Sequence, residues 1–231
     1  MVTGWADRTN AEPGDGDWNW PDELRRQCQA LLCRLPWPDR GAADLLRTLG
    51  LTSCASGEGV TTVAACLAAA AASCGRHRVL LVDCHLARPK VHRMFGVRPY
   101  PGLCEALAGF GRLPEMIQGS PVRNLSVLSA GKANGDPAAA FDAADLAGVL
   151  EALKAGFDLV VFDLPSAVEQ TSAVRLAGLL DGVLLVVEAE RIPREVAQRT
   201  KELLARARVR LIGAVLNKRQ QYPANWLDHA V

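Results

Sequence analysis

Thr52-Ser53-Cys54-Ala55-Ser56-Gly57-Glu58-Gly59-Val60-Thr61-Thr62 lies between a short apolar run, LGLTS at 49–53, and an alanine-rich stretch, TTVAACLAAAAASCG at 61–75. A glycine-containing turn between a strand and a helix is the setting of a phosphate-binding loop. Its backbone N–H groups and the helix N-terminus wrap a phosphate, and a hydroxyl at Thr61 would reach a magnesium ion. Ser56, Gly57, Glu58, Gly59, Thr61 and Thr62 are therefore the candidate nucleotide-binding residues. Against the template G-x-x-x-x-G-K-[ST], Gly59 and Thr61 are kept, but Cys54 stands at the first glycine and Val60 at the lysine. Taken alone, the segment reads equally well as a tight strand-to-helix turn with a threonine cap.

Outward from this loop, short apolar runs alternate with longer helical patterns. HRVLLVDC, NLSVLSA, FDLVVFDLP, DGVLLVVEA and RVRLIGAVLNK read as strands, while DAADLAGVLEALKAG, SAVRLAGLL and REVAQRTKELLARA read as helices. Strands that are apolar throughout are buried on both faces, which marks a parallel sheet covered by helices. The predicted fold class is α/β, a three-layer sandwich with a mostly parallel sheet flanked by helices. Ahead of it, PDELRRQCQALLCRL from Pro21 places Leu24, Cys28, Leu31 and Leu35 on one helical face. Residues 1–20, with Trp5, Trp18 and Trp20, show no period and are expected to form a loose arm; 21–218 form the domain and 219–231 a short tail.

Two of the predicted strands end in aspartate, Asp83 and Asp163. Open α/β sheets bind ligands at the C-terminal ends of their strands, so both carboxylates would face a metal and its phosphates. A single aspartate at a strand end also serves as a cap or turn former.

The order SxxSGEGxTT, VLLVDCHLARPKVHRMFG, GLCEALAG, NLSVLSAG, FDLVVFDLPS, DGVLLVVEA and LIGAVLNK resembles the cytoplasmic kinase domain of bacterial tyrosine kinases of capsule and exopolysaccharide biosynthesis. These are P-loop NTPases of the SIMIBI type, related to the partition and division-site ATPases. The resemblance implies ATP or ADP with Mg2+ as cofactors, Asp83 and Asp163 as catalytic residues, and Thr61, Asp83 and Asp163 around the metal. It implies that Asn217 contacts the adenine base. Glu23 and Arg26 resemble two residues of an E-x-x-R-x-x-R helix that packs subunits into a ring; the third position is Gln29.

This chain departs from the family pattern where the chemistry happens. Val60 can neither donate a hydrogen bond nor neutralise charge on a phosphate, and loss of such a lysine costs on the order of a hundredfold or more in rate. His85 replaces the second aspartate of a D-x-D pair, Ala87 stands where arginine is common, and Ala55 stands where the partition ATPases carry a further lysine. Arg88 and Lys90 read as a solvated or subunit-facing basic cluster. The family's tyrosine-rich tail is reduced to Tyr222, which is left as a possible phosphoacceptor.

Composition bounds these readings. With 49% hydrophobic residues among 231, the chain holds one sizeable core, and a net charge of +1 supplies no field for nucleic acid or an anionic membrane. Seven cysteines without a C-x-x-C pair fit a reducing compartment, and with no apolar run near 20 residues and no leader-like start a cytoplasmic location is expected, with membrane recruitment only through a partner. Three functions remain open: an inactive or weakly active pseudo-kinase that binds a membrane chain-length regulator or an active kinase; an active tyrosine autokinase; and a partition or positioning ATPase. A homo-oligomer is a further expected assembly of the chain.

Overall fold

Strand residues here alternate between two apolar layers. In β2 (Val79–Asp83), Val79 and Leu81 join one buried cluster while Leu80 and Val82 join the other. In β5 (Leu159–Asp163), Leu159 and Val161 join the first, and Val160 and Phe162 the second. That two-residue period places a core on each face of one sheet. The computed structural model describes residues 22–35, 46–74, 77–133, 141 and 145–219. The expected arm over 1–20, residues 36–45, Tyr222 and the rest of the tail beyond 219 lie outside the described residues.

The sheet also contains β1 (Thr48–Ser53), β3 (Gln118–Gly119), β4 (Leu125–Leu128), β6 (Gly182–Glu188) and β7 (Leu211–Asn217), in the order β3-β4-β2-β5-β1-β6-β7. All pairings are parallel except the short antiparallel contact of β3 with β4. The predicted three-layer α/β sandwich is thus the observed one. β1 lies between β5 and β6, so the loop that leaves its C-terminal end opens beside the ends of both.

Helix α1 (Asp22–Leu32) packs Leu24, Cys28 and Leu32 against α2 (Val60–Ser73), and the Cys28 and Cys66 thiols meet across that contact. From Val63 to Ala72 every side chain of α2 is buried, because alanine lets the helix lie close between the sheet and α1. Between β2 and β4 the sequence analysis reads no helix. The structure builds three short helices there, α3 (Val91–Phe95), α4 (Leu103–Leu107) and α5 (Leu113–Met116), before β3. Elements of four or five residues are too short to leave a helical period. Helices α6 (Leu146–Gly156), α7 (Thr171–Ala177) and α8 (Arg194–Arg206) complete the layers. None of the seven cysteines forms a disulfide; Cys33 and Cys74 are exposed and the rest buried.

Candidate nucleotide and metal site

The loop after β1 has the backbone of a phosphate cradle. Gly57 and Gly59 have φ of 88° and 90°, a left-handed conformation that side chains rarely adopt. Gly59 is doubly constrained, because a Cβ there would lie 2.3 Å from Asn217 Nδ2. Cys54, at the template's first glycine, does not have positive φ, so that position tolerates a side chain without strain. Its thiol is buried, and burial pushes its pKa up.

Glu58 is the internal strut of this loop. Its carboxylate is fully buried, accepting from Ala55 N at 2.5 Å and from Glu188 N at the end of β6 at 2.8 Å. The sequence marks Glu58 as nucleotide-binding; the structure turns its side chain inward, leaving only its backbone to face a ligand. Asn217, at the end of β7, donates from Nδ2 to Glu58 O at 2.8 Å and accepts at Oδ1 from Lys218 N. Asn217 is 2% exposed, so in this state its amide ties β7 to the loop and does not face an open base pocket.

The outer rim carries charges that the sequence motif did not reveal. Lys218 Nζ donates to Gly57 O at 2.9 Å, and Arg191 donates to Ser56 O at 3.1 Å. Both cations pair with Glu188, at 3.2 and 2.7 Å respectively. Burial pushes the Glu188 carboxyl up, but the hydrogen bonds and charges of Arg191 and Lys218 outweigh it and hold the group below its usual range. Glu169 accepts from Ser56 N at 3.3 Å. These partners come from sequence distances of 113 to 161 residues, and no local pattern announces them.

Val60 is 6% exposed and belongs to the apolar cluster on the α2 face of the sheet. The side chain that the sequence template sets at the lysine position is therefore part of the core. Thr61 follows it at the start of α2, partly exposed, as does Thr62. Arg88 and Lys90 are both exposed, as the sequence led one to expect.

The two strand-end aspartates have unlike surroundings. Both are 0% exposed. Asp83 accepts from His85 N, Lys90 N and Val91 N, each at 3.0 Å, so its carboxylate folds the turn that leads into α3. Burial raises its pKa to about 6, with those three backbone donors pulling the other way. Asp163 has no hydrogen-bond partner on either oxygen. Burial, and then the Asp83 charge, push its carboxyl well above the ordinary range against the pull of the Thr61 hydroxyl and the Lys90 charge. His85 Nε2 is 3.9 Å from Asp163 Oδ1. Burial, with Lys90 adding, lowers the imidazole pKa to about 4.

An unpartnered buried carboxylate beside the threonine at a helix N-terminus is a donor set that fits a magnesium ion. Asp163 and Thr61 would hold it, with Asp83 behind them, its oxygens already engaged by backbone.

Over 172 residues the chain is 31% identical to tyrosine-protein kinase YwqD of Bacillus subtilis (strain 168), covering 74% of this chain and 72% of that one. The chain belongs to the bacterial tyrosine kinase family of P-loop NTPases. No family model matches it. It is also 30% identical over 175 residues to the succinoglycan biosynthesis transport protein ExoP of Rhizobium meliloti (strain 1021), a match that takes in 74% of this chain and 22% of ExoP. Among solved structures, the kinase domain of Escherichia coli tyrosine kinase ETK superposes with a TM-score of 0.81 at 23% identity, covering 96% of this chain and 90% of that one, a likeness of fold. This kinase-family chain sets Gly57, Gly59 and Thr61 in the loop and helix start that follow β1, and Asp83 and Asp163 at the ends of β2 and β5.

Glu23 and Arg26 lie together on the solvent side of α1. Arg26 pairs with Glu23 at 3.1 Å, and Gln27 donates to Glu23 at 2.7 Å. Among the described residues, no helix is long and apolar enough to cross a membrane.

Proposed function

We propose that this chain is a degenerate tyrosine-kinase-like subunit of exopolysaccharide or capsule biosynthesis that acts by binding and transfers phosphate weakly or not at all. The observation that carries the reading is Val60: it is read at the lysine position and is buried in the core on the α2 face of the sheet. A phosphoryl group there would meet backbone donors and a metal but no ammonium to balance developing charge. The part in polysaccharide export is supported by the relative ExoP, named for succinoglycan biosynthesis transport. The partner in this reading is a membrane chain-length regulator or a related active kinase, which brings a cytoplasmic chain to the membrane face.

Nucleotide with magnesium is the ligand of the loop in this reading. The backbone of Ser56 to Gly59, with Thr61 and Thr62, binds the phosphates. When bound, the magnesium supplies charge compensation for the phosphates, and Asp163 and Thr61 orient it. Asp83 holds the turn that carries His85 and Lys90 toward the same place.

A second reading, an active autokinase with Tyr222 as acceptor, is favoured by one contact. Lys218 Nζ lies 2.9 Å from Gly57 O, which places an ammonium on the loop from outside the motif.

One experiment separates the two: magnesium-dependent binding of a fluorescent ADP analogue to the wild type and to Val60→Lys, run beside transfer of labelled phosphate to tyrosine. The proposal expects weak binding and no labelling in the wild type. Labelling of the wild type would overturn it.

A further inference from the structure

Three consecutive carbonyls of the loop after β1 are held by side chains from the end of β7 and from just beyond β6. Arg191 donates to Ser56 O at 3.1 Å, Lys218 Nζ to Gly57 O at 2.9 Å, and Asn217 Nδ2 to Glu58 O at 2.8 Å. The peptide bonds of the loop are trans, so each C=O points opposite to the N–H of the next residue. Drawing the oxygens toward β6 and β7 therefore turns the N–H groups of Gly57, Glu58 and Gly59 the other way. Among the described residues none of these N–H groups has a hydrogen-bond partner. With Gly57 and Gly59 left-handed, the result is a concave row of donors that fits an anion.

The backbone is bent to make this grip. Successive side chains of a strand point to opposite faces, yet Asn217 and Lys218 both reach the loop. Lys218 has φ of 56° and Glu190, just before Arg191, has φ of 64°, a left-handed conformation that residues other than glycine seldom adopt. Arg191 lies so near that a Cβ at Gly57 would be 3.4 Å from its Nη1. Glu188 joins the parts: its Oε2 pairs with Arg191 at 2.7 Å and with Lys218 at 3.2 Å, while its N–H donates to the buried Glu58 carboxylate at 2.8 Å. We infer that Arg191 and Lys218, anchored by Glu188, are positioning residues that hold the loop open for a di- or triphosphate, acting through its carbonyls and not on the phosphate. This rests on the reading of the loop as the phosphate site under the proposed function, and deepens it by naming what shapes a loop read with valine at the lysine position.

The test is a calorimetric titration of the full chain with inorganic pyrophosphate, beside amide hydrogen exchange over residues 56–60 without ligand. The wild type is expected to bind pyrophosphate. Lys218→Met and Arg191→Met should each weaken it about tenfold and speed exchange at 57–59, while Lys218→Arg keeps most of the affinity. Both Met variants should melt within a few degrees of wild type, because exposed ion pairs add little to folding. Glu188→Gln fixes the sign: cations that work through the carbonyls lose their anchor and pyrophosphate binds more weakly, whereas cations that touch the phosphate lose a competitor and it binds more tightly. Tighter binding to Glu188→Gln would overturn the inference. So would unchanged affinity or unchanged exchange in both Met variants, or no binding of pyrophosphate to the wild type at millimolar concentration. The outcome is separate from that of the ADP-analogue experiment: failure of the analogue, with pyrophosphate binding that depends on Lys218 and Arg191, sinks nucleotide binding and upholds the grip on the loop.

Discussion

Asp83 and Asp163 are register partners on the adjacent parallel strands β2 and β5, so two fully buried carboxylates share the α2 face of the sheet. Only Asp83 has hydrogen-bond donors. Asp163 therefore carries an uncompensated charge whenever both are ionised. Its folded pKa is raised, so the folded state holds that proton more tightly than the unfolded chain. The stability it contributes is present at acid pH and is lost as pH rises past the unfolded value. Asp163→Asn should then be more stable than wild type at pH 8, by about 1–3 kcal/mol. That is several degrees in Tm for a chain of this size. The difference should shrink toward pH 4, and the comparison cancels His85, whose lowered pKa acts in the opposite sense over the same window. Melting curves of both proteins across pH 4 to 8 without metal check this; a difference that grows toward acid would refute it.

Val60→Lys should lower stability without ligand, because an ammonium replaces a methyl-bearing side chain in the cluster on the α2 face of the sheet. A loss of about 1–3 kcal/mol is expected. Saturating Mg-ADP should return more of that loss to the variant than it adds to the wild type, since ligand stabilisation follows affinity. Melting temperatures with and without Mg-ADP test it, and equal shifts in both proteins would show that the lysine never reaches the phosphates.

Glu58→Ala removes the acceptor of two backbone N–H groups, at Ala55 and Glu188. Each donor left buried and unpaired costs about 1–3 kcal/mol. Urea unfolding should show a loss of about 2–4 kcal/mol at unchanged m-value. Hydrogen exchange at 55–60 should speed up as the loop loses its strut.

Gly59→Ala combines a strained φ with a clash against Asn217. It should cost about 2 kcal/mol or more. Pairing it with Asn217→Ala should recover the steric part alone, so the double variant should be less destabilised than the sum of the two single ones. Full additivity would mean that the close approach is relieved elsewhere.

The exposed Glu23–Arg26 pair should add little to folding, under about 1 kcal/mol. A double alanine variant should melt within a few degrees of wild type. If α1 packs subunits into a ring, the same variant should run as a monomer in sedimentation where the wild type does not; identical sedimentation would remove that role from these residues.

The architecture was legible in the residues alone. Apolar runs of strand length and an alanine-rich helix after a glycine turn can be satisfied only by a buried parallel sheet with helices on both faces, and the observed order places Asp83 and Asp163 at adjacent strand ends. The sequence also located the loop, because the glycine spacing lies within a few residues, and Gly57 and Gly59 both have positive φ there. What each side chain faces was settled by folding. Glu58 looks like a loop residue and is an internal strut; Lys218 and Arg191 reach the loop from β7 and from beyond β6; Asp83 is tied to backbone while Asp163 is left bare. The Glu58–Glu188, Lys218 and Arg191 contacts join segments more than a hundred residues apart, and the turn after Asp83 closes on its carboxylate only once the strand end is buried; a local pattern of residues carries no information about which partner a side chain meets once the sheet has closed around it.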